Sequence, residues 1–263
     1  MMLKDKVVVI YGAGGAIGGA VARAFAREGA TLFLTGRSLE PVEIVAKEIV
    51  AAGGSAEAAE VDALDEQAVD EHLQSVVDVA GRVDISFNAI GIPSTNLIGV
   101  PLVEMDVERF FMPITTFARS YFLTARLAAR RMVATGSGVI MTVTTLQSRT
   151  GYPTAGGFGP AMAAKEALTR QLSVELAPHG IRVVGLRPQG IPETEALKEA
   201  YQPRAKASGM TYEQFNELAA SKTHTRRLST LAELANAAVF LASDNSSGMT
   251  GTIVNLSMGT LDD

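Results

Sequence analysis

The chain has 263 residues, of which 47% are hydrophobic and 25 are glycine, so it is long enough to bury the core of one α/β domain. A formal net charge of -5 argues against a surface that binds nucleic acid or anionic lipid, because both need clustered positive charge. The absence of cysteine excludes disulfides and sulfur-ligated metals, and three scattered histidines argue against an imidazole metal site.

Composition also bears on where the protein works. Polar residues interrupt every apolar run before the roughly 20 residues that a membrane span requires. The few residues before the first predicted strand leave no room for the apolar region of a secretory signal. We therefore expect a cytoplasmic protein with a small-molecule substrate and with neither nucleic acid nor a membrane as partner.

Short β-branched segments alternate with helical patterns along the chain. They predict strands at 6–11, 31–35, 56–61, 84–87, 138–144, 181–186 and 251–256, and helices at 17–28, 42–52, 66–79, 106–132, 161–177 and 231–242. Strands that alternate with helices imply right-handed crossovers and a parallel sheet covered on both faces. The predicted fold class is α/β, a doubly wound parallel sheet of the Rossmann type, with residues 1–263 in a single domain.

One predicted connection is too long for an ordinary loop. Residues 190–226 carry Pro192, Pro203 and Gly209 among mixed charges. Connections of this length inside a compact domain usually have a function of their own. We predict that this segment caps a substrate cleft within the same domain.

A glycine-rich segment lies where the first strand ends and the first helix begins. It reads Gly12-Ala-Gly-Gly-Ala-Ile-Gly18. Glycines there let the chain turn tightly and approach a pyrophosphate, which then binds the N–H groups at the helix N-terminus. Further candidates follow at Asp62, residues 88–91 and residues 187–190, all at carboxyl ends of predicted strands, where open α/β sheets bind ligands.

Together these motifs resemble the short-chain dehydrogenase/reductase family over essentially the whole chain. The glycine loop is similar to the family's Gly-x-x-x-Gly-x-Gly, with Ala16 at the middle glycine, and residues 88–91 are similar to its Asn-Asn-Ala-Gly. Residues 241–244 and 250–251 are similar to its C-terminal segment. The resemblance implies a nicotinamide cofactor bound by Gly12, Gly14, Gly15, Ala16, Ile17, Gly18, Arg37, Asp62, Ala63, Asn88, Ala89, Gly91, Lys165, Pro188, Gly190 and Thr194.

The residues after the second strand bear on the choice of cofactor. An NAD-selective protein usually carries an acidic residue there, which accepts hydrogen bonds from the ribose hydroxyls. Gly36 stands at that position and Arg37 follows it. Because a guanidinium suits a ribose phosphate, we favour NADP(H) over NAD(H). The alternative is that Arg37 is a solvated surface charge and that NAD(H) is tolerated.

The family's proton-transfer residues are replaced in this chain. The family uses an Asn in the long helix, a Ser after the fifth strand, and a Tyr and a Lys four residues apart. The resemblance places Phe117, Thr145, Ala161 and Lys165 at these positions. Alanine cannot transfer a proton. Phe158, at the spacing that enoyl-reductase relatives use for their tyrosine, cannot do so either.

A second resemblance is to the dienoyl-CoA reductase branch, through residues 144–151 with Pro160 and Lys165. Those enzymes carry a tyrosine where this chain has Gln147 and a serine where it has Ala161. Tyr152 is either a replacement acid or an exposed or packed loop tyrosine. The candidate catalytic residues are Lys165, Thr145, Gln147 and Tyr152, with Ser148 and Gln189 as further polar neighbours.

Two function classes stay open. The first is an NADP(H)-dependent reductase of an activated carbonyl, enone or acyl thioester, in which Thr145, Gln147 or water stabilises the developing oxyanion. The second is a catalytically inactive nucleotide-binding protein that serves in sensing or assembly. The resemblance also implies a homodimer or homotetramer, with residues at helical spacing for close packing at Ala163, Ala164, Leu168 and Leu172.

Overall fold

The computed structural model describes residues 1–93 and 98–262. The strands are β1 (Val7–Tyr11), β2 (Thr31–Gly36), β3 (Ser55–Glu60), β4 (Ile85–Asn88), β5 (Gly138–Val143), β6 (Ile181–Pro188) and β7 (Thr252–Leu256). The helices are α1 (Ala16–Arg27), α2 (Leu39–Ala51), α3 (Glu66–Ala80), α4 (Val107–Thr135), α5 (Phe158–Leu176), α6 (Glu195–Ala207), α7 (Tyr212–Ser221) and α8 (Leu231–Ala242).

The seven strands form one parallel sheet in the order β3-β2-β1-β4-β5-β6-β7. The order reverses beside β1, which pairs with β2 on one side and with β4 on the other. Ligands of open α/β sheets bind at the carboxyl ends of the strands near such a reversal. The predicted doubly wound α/β fold is confirmed, and its crevice lies next to the glycine loop.

Helices cover both faces of the sheet, as the apolar strands require. One core cluster joins β1 to α1, α2 and α8 through residues such as Ile10, Phe25 and Leu234. The other joins the opposite face to α3, α4 and α5 through residues such as Val9 and Leu127. All five residues of β1 are buried, because a central parallel strand meets helices on both sides.

The bounds of two elements and the position of one residue differ from the sequence-based expectation in ways that bear on the site and on assembly. Helix α5 begins at Phe158 rather than 161, because Pro160 lies in its first turn, where a missing N–H breaks no intrahelical hydrogen bond. Strand β6 continues to Pro188, so Arg187 and Pro188 lie in the strand and not after it. Leu172, expected on an oligomer surface, is 8% exposed and packs in the core of the chain itself.

The segment 190–226 contains two helices, α6 and α7, that the sequence analysis did not identify. A reciprocal capping box begins α7: the Gln214 N–H donates to Thr211 Oγ1 at 3.2 Å, and the Thr211 N–H donates to Gln214 Oε1 at 2.9 Å. This Thr-x-x-Gln pattern was readable in the sequence. Within residues 1–93 and 98–262, no helix has the length and hydropathy of a membrane span.

Candidate cofactor and substrate site

The loop between β1 and α1 has the geometry of a phosphate site. Gly12 has φ of +79°, and a Cβ at this position would lie 2.8 Å from the Ala89 carbonyl oxygen, so only glycine fits. Helix α1 begins after Gly15 without a capping side chain and without an acidic residue in its first turn. The exposed N–H groups at this end fit a pyrophosphate. Gly14, Gly15 and Ala16 are exposed on the loop, whereas Gly18 is buried behind it.

A cavity of about 330 Å³ lies beside this loop, and it is lined by Gly12, Gly36, Arg37, Asp62, Ala63 and Gly91 among others. The structure therefore brings together predicted residues from the ends of β1, β2, β3 and β4. Asp62 Oδ1 accepts a hydrogen bond from the Leu64 N–H at 3.0 Å, which shapes the loop after β3. A Cβ at Gly36 would lie 2.8 Å from the Val42 side chain, so α2 packs closely against the end of β2. This is the position at which NAD-selective proteins usually carry an acidic residue.

Asn88 ties the sheet to α4 and is not part of the cavity wall. Its side chain is buried, and Nδ2 donates to Thr124 Oγ1 at 3.2 Å. The neighbouring Ala89 and Gly91 line cavities, so the loop after β4 contributes through these small residues.

Lys165 lies beneath the cavity wall, not in it. Its side chain is fully buried, and Nζ donates to the Val143 carbonyl oxygen at 2.9 Å. The rings of Phe117 and Tyr121 lie 5.6 and 5.7 Å from Nζ. Burial lowers the pKa of Lys165 to about 7, because the charged form loses its hydration. Its expected contact with a nicotinamide ribose requires the side chain to move and stays a prediction.

An apolar cluster occupies the positions that the sequence resemblance assigns to the family's asparagine and tyrosine. Phe117, Ala161 and Met162 are 4%, 0% and 2% exposed and pack together. The Phe158 ring contacts the Phe117 ring edge-on at 5.8 Å. None of the side chains of Phe117, Phe158, Ala161 and Met162 can transfer a proton.

The Thr145 hydroxyl is a buried polar group without a hydrogen-bond partner in the described part of the chain, as are Tyr11 OH and Asn88 Oδ1, but it lies at the end of β5 beside this cluster. Thr145 and Gln147 both line the cavities at the end of β5. A buried hydroxyl without a partner costs about 1–3 kcal/mol. Thr145 is therefore placed to donate a hydrogen bond to a ligand atom.

A buried ion pair behind Thr145 was missed by the sequence analysis. Arg187 Nε and Nη2 donate to the two carboxylate oxygens of Glu166 at 2.9 and 3.0 Å, and both side chains are buried. Thr144 Oγ1 and Ser148 Oγ donate to the same carboxylate at 3.0 and 2.5 Å. Burial opposes ionisation of Glu166, but Arg187 and the two hydroxyls outweigh it and hold the pKa of Glu166 below its ordinary value.

This pair joins β6, α5 and the loop that carries Thr145. The sequence signal was present: a charged residue in the apolar strand 181–188 and a glutamate beside Lys165 in a buried helix. The sequence contains no information about which other residue each of them meets.

A second cavity, of about 490 Å³, separates the loop after β5 from α6 and α7. The predicted residues that line it are Ile17, Thr145, Gln147, Tyr152, Pro188, Gln189, Gly190 and Thr194. Thr194 also begins α6, since its Oγ1 accepts from the Leu197 N–H at 3.3 Å. The Arg204 guanidinium lies over the Tyr152 ring at 4.3 Å. Tyr201 is a further phenol in this wall, and burial raises its pKa to about 12.

Comparison with known proteins identifies the family. The family model described as enoyl-(acyl carrier protein) reductase matches residues 12–260. The chain belongs to the short-chain dehydrogenase/reductase family. It is 30% identical over 259 residues to an uncharacterized oxidoreductase of Bacillus subtilis, YxbG, with 98% of this chain and 92% of that protein covered. It is 30% identical over 266 residues to the 7alpha-hydroxysteroid dehydrogenase of Escherichia coli, with 98% and 95% covered.

Solved structures of the short-chain dehydrogenase/reductase fold superpose over nearly the whole chain. The sorbitol-6-phosphate 2-dehydrogenase SrlD of Erwinia amylovora has a TM-score of 0.91 at 22% identity, with 97% of this chain and 100% of that chain covered, and shows the fold alone. An NAD+-bound xylitol dehydrogenase has a TM-score of 0.90 at 25% identity, with 97% and 99% covered.

The chain is thus an oxidoreductase of the short-chain dehydrogenase/reductase type, a family that binds a nicotinamide cofactor. The names of these relatives include a steroid dehydrogenase and sugar-alcohol dehydrogenases. Family membership therefore does not identify the substrate.

Proposed function

We propose that this chain is an NADP(H)-dependent reductase of an activated carbonyl compound, an enone or an acyl thioester. The buried, partnerless hydroxyl of Thr145 carries the proposal. A protein that leaves a donor unsatisfied at its ligand cavity loses stability there, and a ligand oxygen that accepts from the donor recovers it. Thr145 lines the wall together with Ile17 of the glycine-loop helix, so an acceptor near Thr145 is also near the cofactor site.

The residues present fit a dinucleotide. The glycine loop and the N-terminus of α1 would hold the pyrophosphate, and Asp62 and Ala63 would contact the adenosine end. Arg37 would bind the phosphate on the ribose. The cofactor supplies the hydride when bound, and the chain's own residues orient it and stabilise charge.

The missing acid at position 161 favours an activated substrate. Hydride addition to the β-carbon of an enone, or of an acyl thioester that is conjugated with a C=C bond, produces an enolate whose negative charge is shared between the oxygen and the α-carbon. Hydrogen bonds can stabilise this oxygen before water supplies a proton to the α-carbon. We assign Thr145 and Gln147 as the donors to that oxygen, since both line this wall beside Ile17 and the loop after β4. A simple ketone would produce a more basic alkoxide and would need a proton donor at the position of Ala161.

One observation favours a second candidate function. Lys165 is fully buried and donates a hydrogen bond to the Val143 carbonyl oxygen. Phe117 and Ala161 form an apolar cluster at the positions that the resemblance assigns to polar catalytic groups. A protein that binds the cofactor for sensing or assembly, without turnover, would tolerate this arrangement.

NADPH consumption over a panel of enones, acyl thioesters and simple ketones tests the proposal. We expect turnover with the activated substrates only. Thr145→Val, which keeps the shape but removes the donor, should lower kcat by roughly 100-fold, whereas Thr145→Ser should retain most of the activity. Thr135→Val, at the C-terminus of α4, is the matched control and should not change kcat.

Two outcomes decide against the proposal. NADPH binding without consumption over the whole panel would favour the second candidate. Reduction of simple ketones at a rate that Thr145→Val does not change would show that another group supplies the proton.

A further inference from the structure

The two helices over the substrate cavity each present a positive side chain to it. On α6, Ala196, Ala200 and Arg204 recur every fourth residue, so they share one face of the helix, and all three line the cavity. On α7, Phe215 lines the cavity and Lys222 follows two turns later at the end of the helix. Because the side chains of Ala196 and Ala200 are small, the cavity beside Arg204 on this face of α6 stays open.

No carboxylate balances these two cations. Arg204 and Lys222 are the charged residues of this wall, which contains neither Asp nor Glu among the described residues. Neither cation forms an ion pair in the described part of the chain. In a chain of net charge -5, this cavity is a local region of positive charge that attracts an anion.

Arg204 is held against an aromatic ring. Its guanidinium carbon lies 4.3 Å from the centroid of the Tyr152 ring, which is within the range of a cation–π contact. The N–H donors of a guanidinium lie in its plane and point outward from its edge. Such an edge matches two oxygens of a carboxylate or a phosphate. The Tyr152 ring therefore serves as the platform that fixes Arg204.

We propose that this cavity binds a substrate with an apolar chain and an anionic group, a carboxylate or a phosphate, and that Arg204 and Lys222 bind the anion. Leu197, Phe215 and Leu218 line the same wall and contact the apolar chain. The inference specifies the substrate class of the proposed reductase. The anion site rests on the proposed function only in one respect, namely that the other end of the bound substrate carries the group that is reduced. Binding of the anion itself does not require turnover.

Calorimetric titration of the full chain, with and without NADPH, tests the anion site directly. The probes are octanoate, octyl phosphate and 1-octanol, which share one alkyl chain. We expect octanoate or octyl phosphate to bind about tenfold or more tightly than 1-octanol, since hydrogen bonds to charged groups are the strong ones. Added salt should weaken the anionic probes only.

Variants assign the effect to the named residues. Arg204→Gln should abolish most of the preference for the anionic probe, Lys222→Gln should reduce it, and Arg204→Lys should retain part of it. Tyr152→Ala should weaken binding of the anionic probes, and Tyr152→Phe, which keeps the platform ring, should retain more of this binding than Tyr152→Ala. Lys206→Gln removes the same charge from α6 at an exposed position outside the cavity wall and is the matched control.

Three outcomes would overturn the inference: equal affinity for the anionic and neutral probes, no binding of any probe, or an equal loss in Lys206→Gln and Arg204→Gln. NADPH consumption with (E)-8-oxonon-6-enoate and with its methyl ester then separates this inference from the proposed function. Retained anion binding without any turnover contradicts the reductase alone, whereas equal kcat/KM for acid and ester contradicts the anion site alone.

Discussion

The amine of Lys165 is fully buried, in surroundings that disfavour its charged form. Its neighbours are the Val143 carbonyl oxygen, which accepts a hydrogen bond from Nζ, and the rings of Phe117 and Tyr121. A ring face and one carbonyl replace only part of the hydration that an ammonium loses on burial. The pKa of about 7 follows from this loss.

The stability of the chain should therefore depend on pH through Lys165. Its folded pKa of about 7 lies below the value of about 10.4 for an exposed lysine, so between these pH values the unfolded chain binds more protons than the folded chain. Its contribution to the free energy of unfolding rises with pH across this window. We therefore compare the free energy of unfolding of Lys165→Met with that of the unmodified chain at two pH values. The difference, variant minus unmodified chain, should be roughly 2–3 kcal/mol larger at pH 7 than at about pH 9.5.

Urea unfolding at both pH values measures the change, and Lys206→Met, at an exposed position, provides the control. The absolute stability of Lys165→Met also includes the lost hydrogen bond to Val143. The test is therefore the difference between the two pH values. A constant stability difference would show that Lys165 is not desolvated.

Arg37 gives the prediction on cofactor choice. It lines the cavity at the end of β2, next to Gly36, where a carboxylate would repel a ribose phosphate. We expect NADPH to bind more tightly than NADH, and Arg37→Ala to reduce this preference by about tenfold, because a charged hydrogen-bond donor is lost. Fluorescence titration measures both affinities.

Arg27→Ala, at the far end of α1, is the control and should leave the ratio of the NADPH and NADH affinities unchanged. Equal affinities for NADPH and NADH in the unmodified chain would refute the choice of NADP(H).

At the scale of elements, the ion pair of Arg187 and Glu166 connects β6 to α5, and through Thr144 and Ser148 to the loop after β5. This connection explains why Thr145 is held at the end of its strand although its own hydroxyl has no partner. The pair acts on the site by positioning this loop.

Breaking one side of the pair should be costly. Arg187→Met leaves the Glu166 carboxylate buried without its cation, and we expect a loss of roughly 3–5 kcal/mol in the free energy of unfolding. The double variant Glu166→Met with Arg187→Met should lose less than the sum of the single variants, because no uncompensated charge remains. Urea unfolding measures all three variants. Additive losses would show that the two charges do not interact.

The whole molecule exposes large apolar side chains on the helices that the family resemblance pairs in oligomers. On α4, Phe111 and Phe122 are 51% and 42% exposed, and on α5, Val174 is 75% exposed. These side chains lie on the two helices that the family resemblance pairs in oligomers, and an apolar side chain that is buried on association stabilises the assembly. We therefore retain the prediction of a homodimer or homotetramer.

Light scattering at micromolar concentration tests this assembly. The unmodified chain should have at least twice the monomer mass, and Phe122→Glu should lower that mass, because a charge buried in an apolar interface is costly. Val50→Glu, on an exposed position of α2, changes the net charge equally and should keep the assembly. A monomer mass for the unmodified chain would contradict the prediction.

The sequence determined those features that depend on local patterns. Alternating apolar segments predicted the seven strands in chain order and the parallel sheet, and the glycine loop indicated the turn at Gly12. The assignment of Ala161 to the tyrosine position rests on the family resemblance alone. Capping patterns such as Thr211 and Gln214 could also have indicated α7. These features are readable because each depends on residues within one or two turns of each other.

Only the tertiary structure decided which distant groups meet. Glu166 and Arg187 lie 21 residues apart in the chain, and their pairing depends on how α5 packs against β6. The burial of Lys165 and the contact of Arg204 with Tyr152 likewise depend on segments that meet only in the folded domain. The residues that pack around a side chain set its pKa and determine which of its hydrogen-bond donors are free. The sequence therefore shows which ionisable groups the chain has, but the packing of distant segments determines their pKa values and partners.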